Sequence, residues 1–106
     1  MDKQRPHYDL KKIKSLLRSD DTRTITDSSR DGAVPLGYMD DEDMIYVIET
    51  LTSTNFYKSM TCYFNPKIWQ DVYKTVDEEG RRLYVKLQIF NEKAVLVQFK
   101  LDERGD

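Results

Sequence analysis

Two stretches near the end of the chain alternate so regularly that they restrict the fold more than any other feature. Leu83, Val85, Leu87 and Ile89 alternate with Tyr84, Lys86 and Gln88. After a break, Val95, Val97, Phe99 and Leu101 alternate with Gln98 and Lys100. Period-two alternation marks a strand with one face on a core and the other in water. Two such strands joined by a few polar residues read as a hairpin. A slip of one residue would turn every side chain of one strand to the wrong face, so an odd-length loop is needed to keep apolar opposite apolar. A three-residue loop, Asn91 to Lys93, pairs Phe90 with Ala94, Tyr84 with Lys100 and Lys86 with Gln98. This register predicts Tyr84 and Lys100 side by side on one face, with Cβ atoms roughly 4.5–5.5 Å apart.

Upstream, FYKSMTCYF (56–64) and IWQDVYKTV (68–76) are also rich in aromatic and β-branched residues, as strands are. Asn65-Pro66 separates these two, and Asp77-Glu78-Glu79-Gly80 precedes the third strand. Two amphipathic helices come before them. Residues 9–18 start at Asp9, a natural N-cap, and carry an apolar stripe of Leu10, Ile13 and Leu17. Residues 40–52 open with Asp40, Asp41, Glu42 and Asp43, whose charge suits the positive helix end. Met44, Ile48 and Leu51 form the second stripe, widened by Ile45 and Val47. Gly32, Pro35 and Gly37 make residues 19–39 read as irregular, with at most a short helix or turn. Helices followed by a four-strand meander give an α+β class with a mostly antiparallel sheet. A chain of 106 residues is expected to form one domain, 1–106, with a short tail at 102–106.

No apolar run reaches the roughly 20 residues of a membrane span, and MDKQRPHYDL lacks the apolar core of a signal peptide. The expected location is therefore the cytoplasm, with no membrane partner. One cysteine, Cys62, excludes an internal disulfide and, with His7 as the one histidine, argues against a structural zinc site. The net charge of −2 is unevenly spread: residues 1–18 carry +4, 19–55 carry −7 and 56–100 carry +3. Fields decay within about 8–10 Å at physiological salt, so a local basic face can attract phosphate on an acidic molecule.

No nucleophile–histidine–carboxylate set, phosphate-cradling glycine loop or metal-ligand spacing is present. What stands out is the polar strand face carrying Tyr84, Lys86, Gln88, Gln98 and Lys100. Lysine binds phosphate as a point charge, and Tyr and Gln donate to phosphate oxygens. The competing reading is a merely solvated side of an antiparallel sheet. Trp69 reads as a core anchor, and Cys62 as a small packed residue.

The run FYKSMTCYFNPKIWQDVYK, residues 56–74, closely resembles the signature of the motility quorum-sensing regulator (MqsR) toxin family. RPHYDLKKIKSLL at 5–17, Leu36-Gly37, the Tyr-x-Lys at 84–86 and the Phe-Lys at 99–100 resemble it as well, so the similarity spans roughly residues 5–100. The resemblance implies a RelE-like fold. It implies a ribosome-independent endoribonuclease that cuts mRNA at GC-containing triplets such as GCU. It also implies a cognate antitoxin, MqsA-like, with a zinc-binding region and a helix-turn-helix. The family's active-site positions fall on Lys58, Gln70, Tyr84 and Lys100; the polar strand face adds Lys86 and Gln98 as RNA contacts, and His7, in a Pro-His pair like the family's, is a weaker candidate.

Those residue types suit attack of a ribose 2′-hydroxyl on the adjacent phosphate, without metal or cofactor. Lys58 and Lys100 would stabilise phosphate charge, Tyr84 would transfer a proton or bind oxygen, and Gln70 would orient the substrate. Strand parity, however, groups Lys58 with Phe56, Met60 and Cys62, and Gln70 with Ile68 and Val72. Either a bulge turns them or both sheet faces contribute. An inactive, antitoxin-binding relative and a generic RNA-binding domain are the alternative functions.

Overall fold

The computed structural model describes residues 1–103. Its elements run β1 (Asp2–Lys3), α1 (Leu10–Leu17), β2 (Arg23–Ile25), α2 (Asp27–Ala33), α3 (Asp41–Glu49), β3 (Phe56–Thr61), β4 (Trp69–Val76), β5 (Arg82–Phe90) and β6 (Lys93–Leu101). The strands form one sheet in the order β1-β3-β4-β5-β6-β2. All neighbours are antiparallel except β2, which lies parallel to β6. The class is α+β, as expected. Among the described residues no helix is long and apolar enough to cross a membrane.

The helices form where local chemistry favours them. The Asp9 carboxylate accepts from the Lys11 amide at 3.0 Å, capping α1. Ile13 and Leu17 are fully buried, and Leu10 packs at the edge of the same cluster. At α3, Asp43 accepts from the amides of Met39 and Asp40, both at 3.2 Å. Asp41 and Glu42 pair with Arg30 and Arg23, each at 3.1 Å. The acidic cluster thus serves the helix start and its neighbours. Met44, Ile48 and Leu51 are buried, and with α1 they cover Tyr73, Leu83, Val85, Leu87, Leu96 and Phe99 of the sheet.

The segment 19–39 is more regular than the single short helix or turn expected, which corrects the expectation. It holds β2, α2 and 3-10 turns at Asp20–Thr22 and Val34–Leu36. These elements are too short to be stable alone and form because β6 supplies their partners. Thr26 caps α2 through its hydroxyl, which accepts from the Ser29 amide at 3.1 Å and donates to the Val97 carbonyl at 2.8 Å. Gly32 lies so close to β6 that a Cβ there would stand 2.2 Å from the Phe99 carbonyl oxygen.

The hairpin also differs in one respect from its expected form. The loop is two residues, not three: Asn91 and Glu92 both take positive φ, 50° and 62°, the geometry of a tight primed turn. Phe90 therefore pairs with Lys93 and Ile89 with Ala94. An even loop would bury the wrong face, but a register shift between Lys86 and Leu87 corrects it. Leu87 pairs with Leu96 and Lys86 with Gln98, so Val97 is the extra, bulged residue. The predicted pairs Tyr84–Lys100 and Lys86–Gln98 are both present. Ala94 and Leu96, not Val95 and Val97, fill the core beyond the bulge.

The N-terminal segment is pinned by a buried carboxylate. Asp71 accepts from the amides of His7 (3.0 and 3.1 Å) and Tyr8 (2.9 Å) and from the Ser59 hydroxyl (2.6 Å). Asp71→Ala should leave these donors without partners and lower stability on the order of 3 kcal/mol or more. Urea unfolding checks this; an unchanged midpoint would refute the anchoring role. Gly32→Ala should cost about 1–3 kcal/mol through overpacking against β6, again read from the urea midpoint.

Candidate active site

The core-facing row of β4 is Asp71, Tyr73 and Thr75, opposite Leu87, Val85 and Leu83. Alternate residues emerge on the other, helix-free face. Three rows cross it. Met60 pairs with Gln70, whose amide donates to the Gln88 side-chain oxygen at 2.8 Å, and Gln88 pairs with Val95. Lys58 pairs with Val72, Val72 with Lys86, and Lys86 with Gln98. Lys74 pairs with Tyr84, and Tyr84 with Lys100. Rows lie about 6.6 Å apart and strands about 4.8 Å, so long side chains from all three reach one another.

A bulge brings Lys58 there. The β3–β4 register shifts between Phe56 and Lys58, so Phe56 turns inward onto Tyr73, ring centroids 5.6 Å apart, while Lys58 turns outward. This resolves the mixed row. Val72 is fully buried yet stands outside the main apolar cluster. It lies on the open face between Lys58 and Lys86, whose methylene stems can cover it.

Lys58, Tyr84 and Lys100 line one cavity of about 290 Å³, together with Tyr57, Met60, Lys74, Asp102 and Glu103. Gln70 is on the same face but outside the cavity, one row from Lys58 and two from Tyr84 and Lys100, nearly buried and held by Gln88. Lys86 and Gln98 share the Lys58 row. His7 is not brought to this face. Its amide binds Asp71 and its ring stacks on Trp69 at 5.6 Å, so it belongs with the core-facing row. Burial and Lys3 hold the His7 ring below the usual histidine pKa.

The face gathers four lysines, Lys58, Lys74, Lys86 and Lys100, with Asp2, Asp102 and Glu103 beside them. Lys100 sits 5.3 Å and Lys86 5.9 Å from the Tyr84 ring centre. Lys74 lies 3.9 Å over Tyr57 and pairs with the buried Asp102 at 3.2 Å. Lys58 pairs with Asp2 at 3.4 Å. Burial pushes the Lys86 ammonium below the ordinary lysine value, Lys100 and Lys58 add to that, and Cys62 opposes it. Such a cluster of like charge is relieved by an anion. Among the described residues no group of three or more His, Cys, Asp or Glu side chains is placed to hold a metal ion.

Sequence reasoning passed over Tyr57, Lys74 and the clamp of Gln88 on Gln70. Parity could have found Lys74, which shares the alternate row of Gln70 and Val72. Tyr57 carries no sequence signal, because it is the bulged residue.

The family described as "Motility quorum-sensing regulator, toxin of MqsA" matches residues 5–101. The chain is also similar to the "mRNA interferase toxin MqsR" of Escherichia coli (strain K12). The two are 38% identical over 100 residues, which cover 94% of this chain and 98% of that protein. With a match of this extent, the chain belongs to the motility quorum-sensing regulator toxin family.

Proposed function

We propose that this protein is a toxin that arrests growth by cutting mRNA on the open face of its sheet. The observation that carries the reading is the convergence of Lys58, Tyr84 and Lys100 on one cavity of about 290 Å³. Its size and charge suit a phosphodiester. The 2′-hydroxyl loses its proton and attacks the adjacent phosphorus, and the bond to the 5′-oxygen breaks. The leaving oxygen takes up a proton, giving a 2′,3′-cyclic phosphate and a 5′-hydroxyl. Lys58 and Lys100 stabilise the charge growing on the phosphate oxygens. Tyr84 lies between Lys74 and Lys100 in its row and exchanges a proton or donates to phosphate. Gln70, fixed by Gln88, orients a base or phosphate. Lys86 and Gln98 extend the contact with RNA.

The family implies an RNA substrate and an antitoxin partner. The finer reading is our own: a RelE-like fold, ribosome-independent and metal-independent cleavage at GC-containing triplets, an MqsA-like antitoxin with zinc-binding and helix-turn-helix regions, and action in the cytoplasm. His7 is withdrawn from the RNA contacts, since its amide and ring serve the N-terminal anchor.

Purified protein should cut a short RNA without ribosomes, in EDTA as well as without it. Lys58→Ala, Tyr84→Phe and Lys100→Ala should each lower kcat by about 10²–10³-fold, with unfolding midpoints near that of the parent. Full activity in all three variants, or activity lost in EDTA and restored by a divalent ion, would refute the scheme.

The lysine cluster also sets a pH response. A bound phosphate should lift the Lys86 pKa back toward 10.5, the ordinary lysine value below which it rests in the free protein. Between the free and bound values, binding takes up a proton, so affinity falls as pH rises through that alkaline window. Calorimetry of an uncleavable RNA in buffers of different ionisation enthalpy should show this uptake at alkaline pH. Lys86→Met should abolish it.

A further inference from the structure

The β3–β4 connection presents two large rings to solvent: Tyr63 is 84% exposed and Phe64 is 93% exposed. They stack on each other, centroids 5.1 Å apart with 30° between planes. Neither belongs to the core cluster, so the fold forgoes the stabilisation that burying two aromatic rings would supply. The connection itself is hydrogen-bonded. The Cys62 amide donates to the Ile68 carbonyl at 2.7 Å, and the Ile68 amide to the Asn65 carbonyl at 3.0 Å. The Lys67 amide donates to the Asn65 side-chain oxygen at 3.1 Å. The rings therefore project from a closed turn at the end of the β3–β4 ladder.

They follow directly, along the chain, the strand that carries Lys58. Lys58 and Met60 alternate along the open face of β3, and Cys62, just beyond its end, lies within electrostatic reach of Lys86. Tyr63 follows immediately. At about 3.3 Å per residue, Lys58 and Tyr63 are at most roughly 17 Å apart, a span of a few nucleotides. Single-stranded RNA is held through phosphates on cations and through bases on aromatic faces. The lysine rows supply the first contact, and this pair offers the second.

We infer that Tyr63 and Phe64 form a stacking platform for an unpaired base of the RNA, a few nucleotides from the scissile phosphate. The inference rests on the ribonuclease reading above. Stacking on a π-face is tolerant of base identity, so the platform contributes affinity and positioning and leaves base choice to other contacts.

The test uses the full chain with both rings replaced, Tyr63→Ala/Phe64→Ala. Both are exposed, so the variant should unfold at the parent's urea midpoint. On a short RNA its KM should rise about 5- to 100-fold with kcat little changed. Binding of the same RNA with 2′-deoxyribose at the scissile nucleotide should weaken equally. Tyr63→Phe should retain parent behaviour. An abasic nucleotide at one flanking position should raise the parent's KM similarly and add nothing in the double variant. An unchanged KM, or an abasic effect that adds fully to the variant's, would overturn the platform while leaving the ribonuclease reading intact. Weakened antitoxin binding with unchanged RNA kinetics would also overturn it, marking the rings as a protein-docking surface. A parent protein that neither binds nor cuts RNA would overturn both readings.

Discussion

A residue on a strand must face one side of the sheet or the other, and in this molecule two extra residues decide which side the lysines take. The Val97 bulge keeps Lys100 outward although the β5–β6 turn is even. The irregularity at Tyr57 turns Lys58 outward although its neighbour Phe56 goes into the core. Without the first, Lys100 would contend with Phe99 for the core. Without the second, Lys58 would lie under the helices. Bulges disturb ladder pairing, and here the disturbance is satisfied locally. The Val97 carbonyl accepts from Thr26, and the Leu96 carbonyl from the Thr26 amide and the Ser29 hydroxyl. The start of α2 therefore stabilises the register on which the cationic face depends.

The lysines of that face are not equivalent. The Lys58–Asp2 pair is partly exposed, with side-chain exposures of 27% and 51%. Such a pair contributes about 0–1 kcal/mol, so a phosphate can displace Asp2 at little cost. The Lys74–Asp102 pair is far more enclosed, at 16% and 5%. Breaking an enclosed pair leaves an uncompensated charge and costs several kcal/mol. Lys74 is thus held in place against the Tyr57 ring, while Lys58 is available to substrate. Lys86 lies between these cases, crowded by Lys100 and Lys58 and partly desolvated.

Much of this arrangement was legible in the sequence because it follows from period and capping. Alternation located β5 and β6 and the Tyr84–Lys100 pair, Asp9 located the start of α1, and Asp40–Asp43 the start of α3. What escaped depends on tertiary partners. Thr26 and Ser29 are ordinary polar residues until β6 presents its carbonyls, so α2 and β2 left little local trace. The turn length at Asn91-Glu92 was misjudged because a bulge elsewhere restores the same parity, and alternation alone cannot distinguish the two solutions. Lys58 and Gln70 were named through family resemblance, since their rows mix polar and apolar residues. Val72 explains the mixture: it is an apolar residue buried beneath the lysine face rather than in the main core.

The net charge of −2 conflicts with an RNA substrate only if charge is treated as a single sum. The acids of residues 20–43 sit on the 3-10 turn at Asp20–Thr22, on α2 and at the start of α3. α3 packs on the core-facing side, where Asp41, Glu42 and Asp43 are engaged by Arg30, Arg23 and backbone amides, whereas α2 runs along β6, with Gly32 against the Phe99 carbonyl and the Lys100 Cβ. The lysine rows emerge on the opposite side. A packed layer is about 10 Å thick, comparable with the distance over which physiological salt screens charge. An RNA strand approaching the open face therefore meets Lys58, Lys86 and Lys100 before it senses the acidic start of α3. The same division keeps the acids of α3 out of phosphate binding, because Arg30, Arg23 and backbone amides engage them on the other side of the sheet.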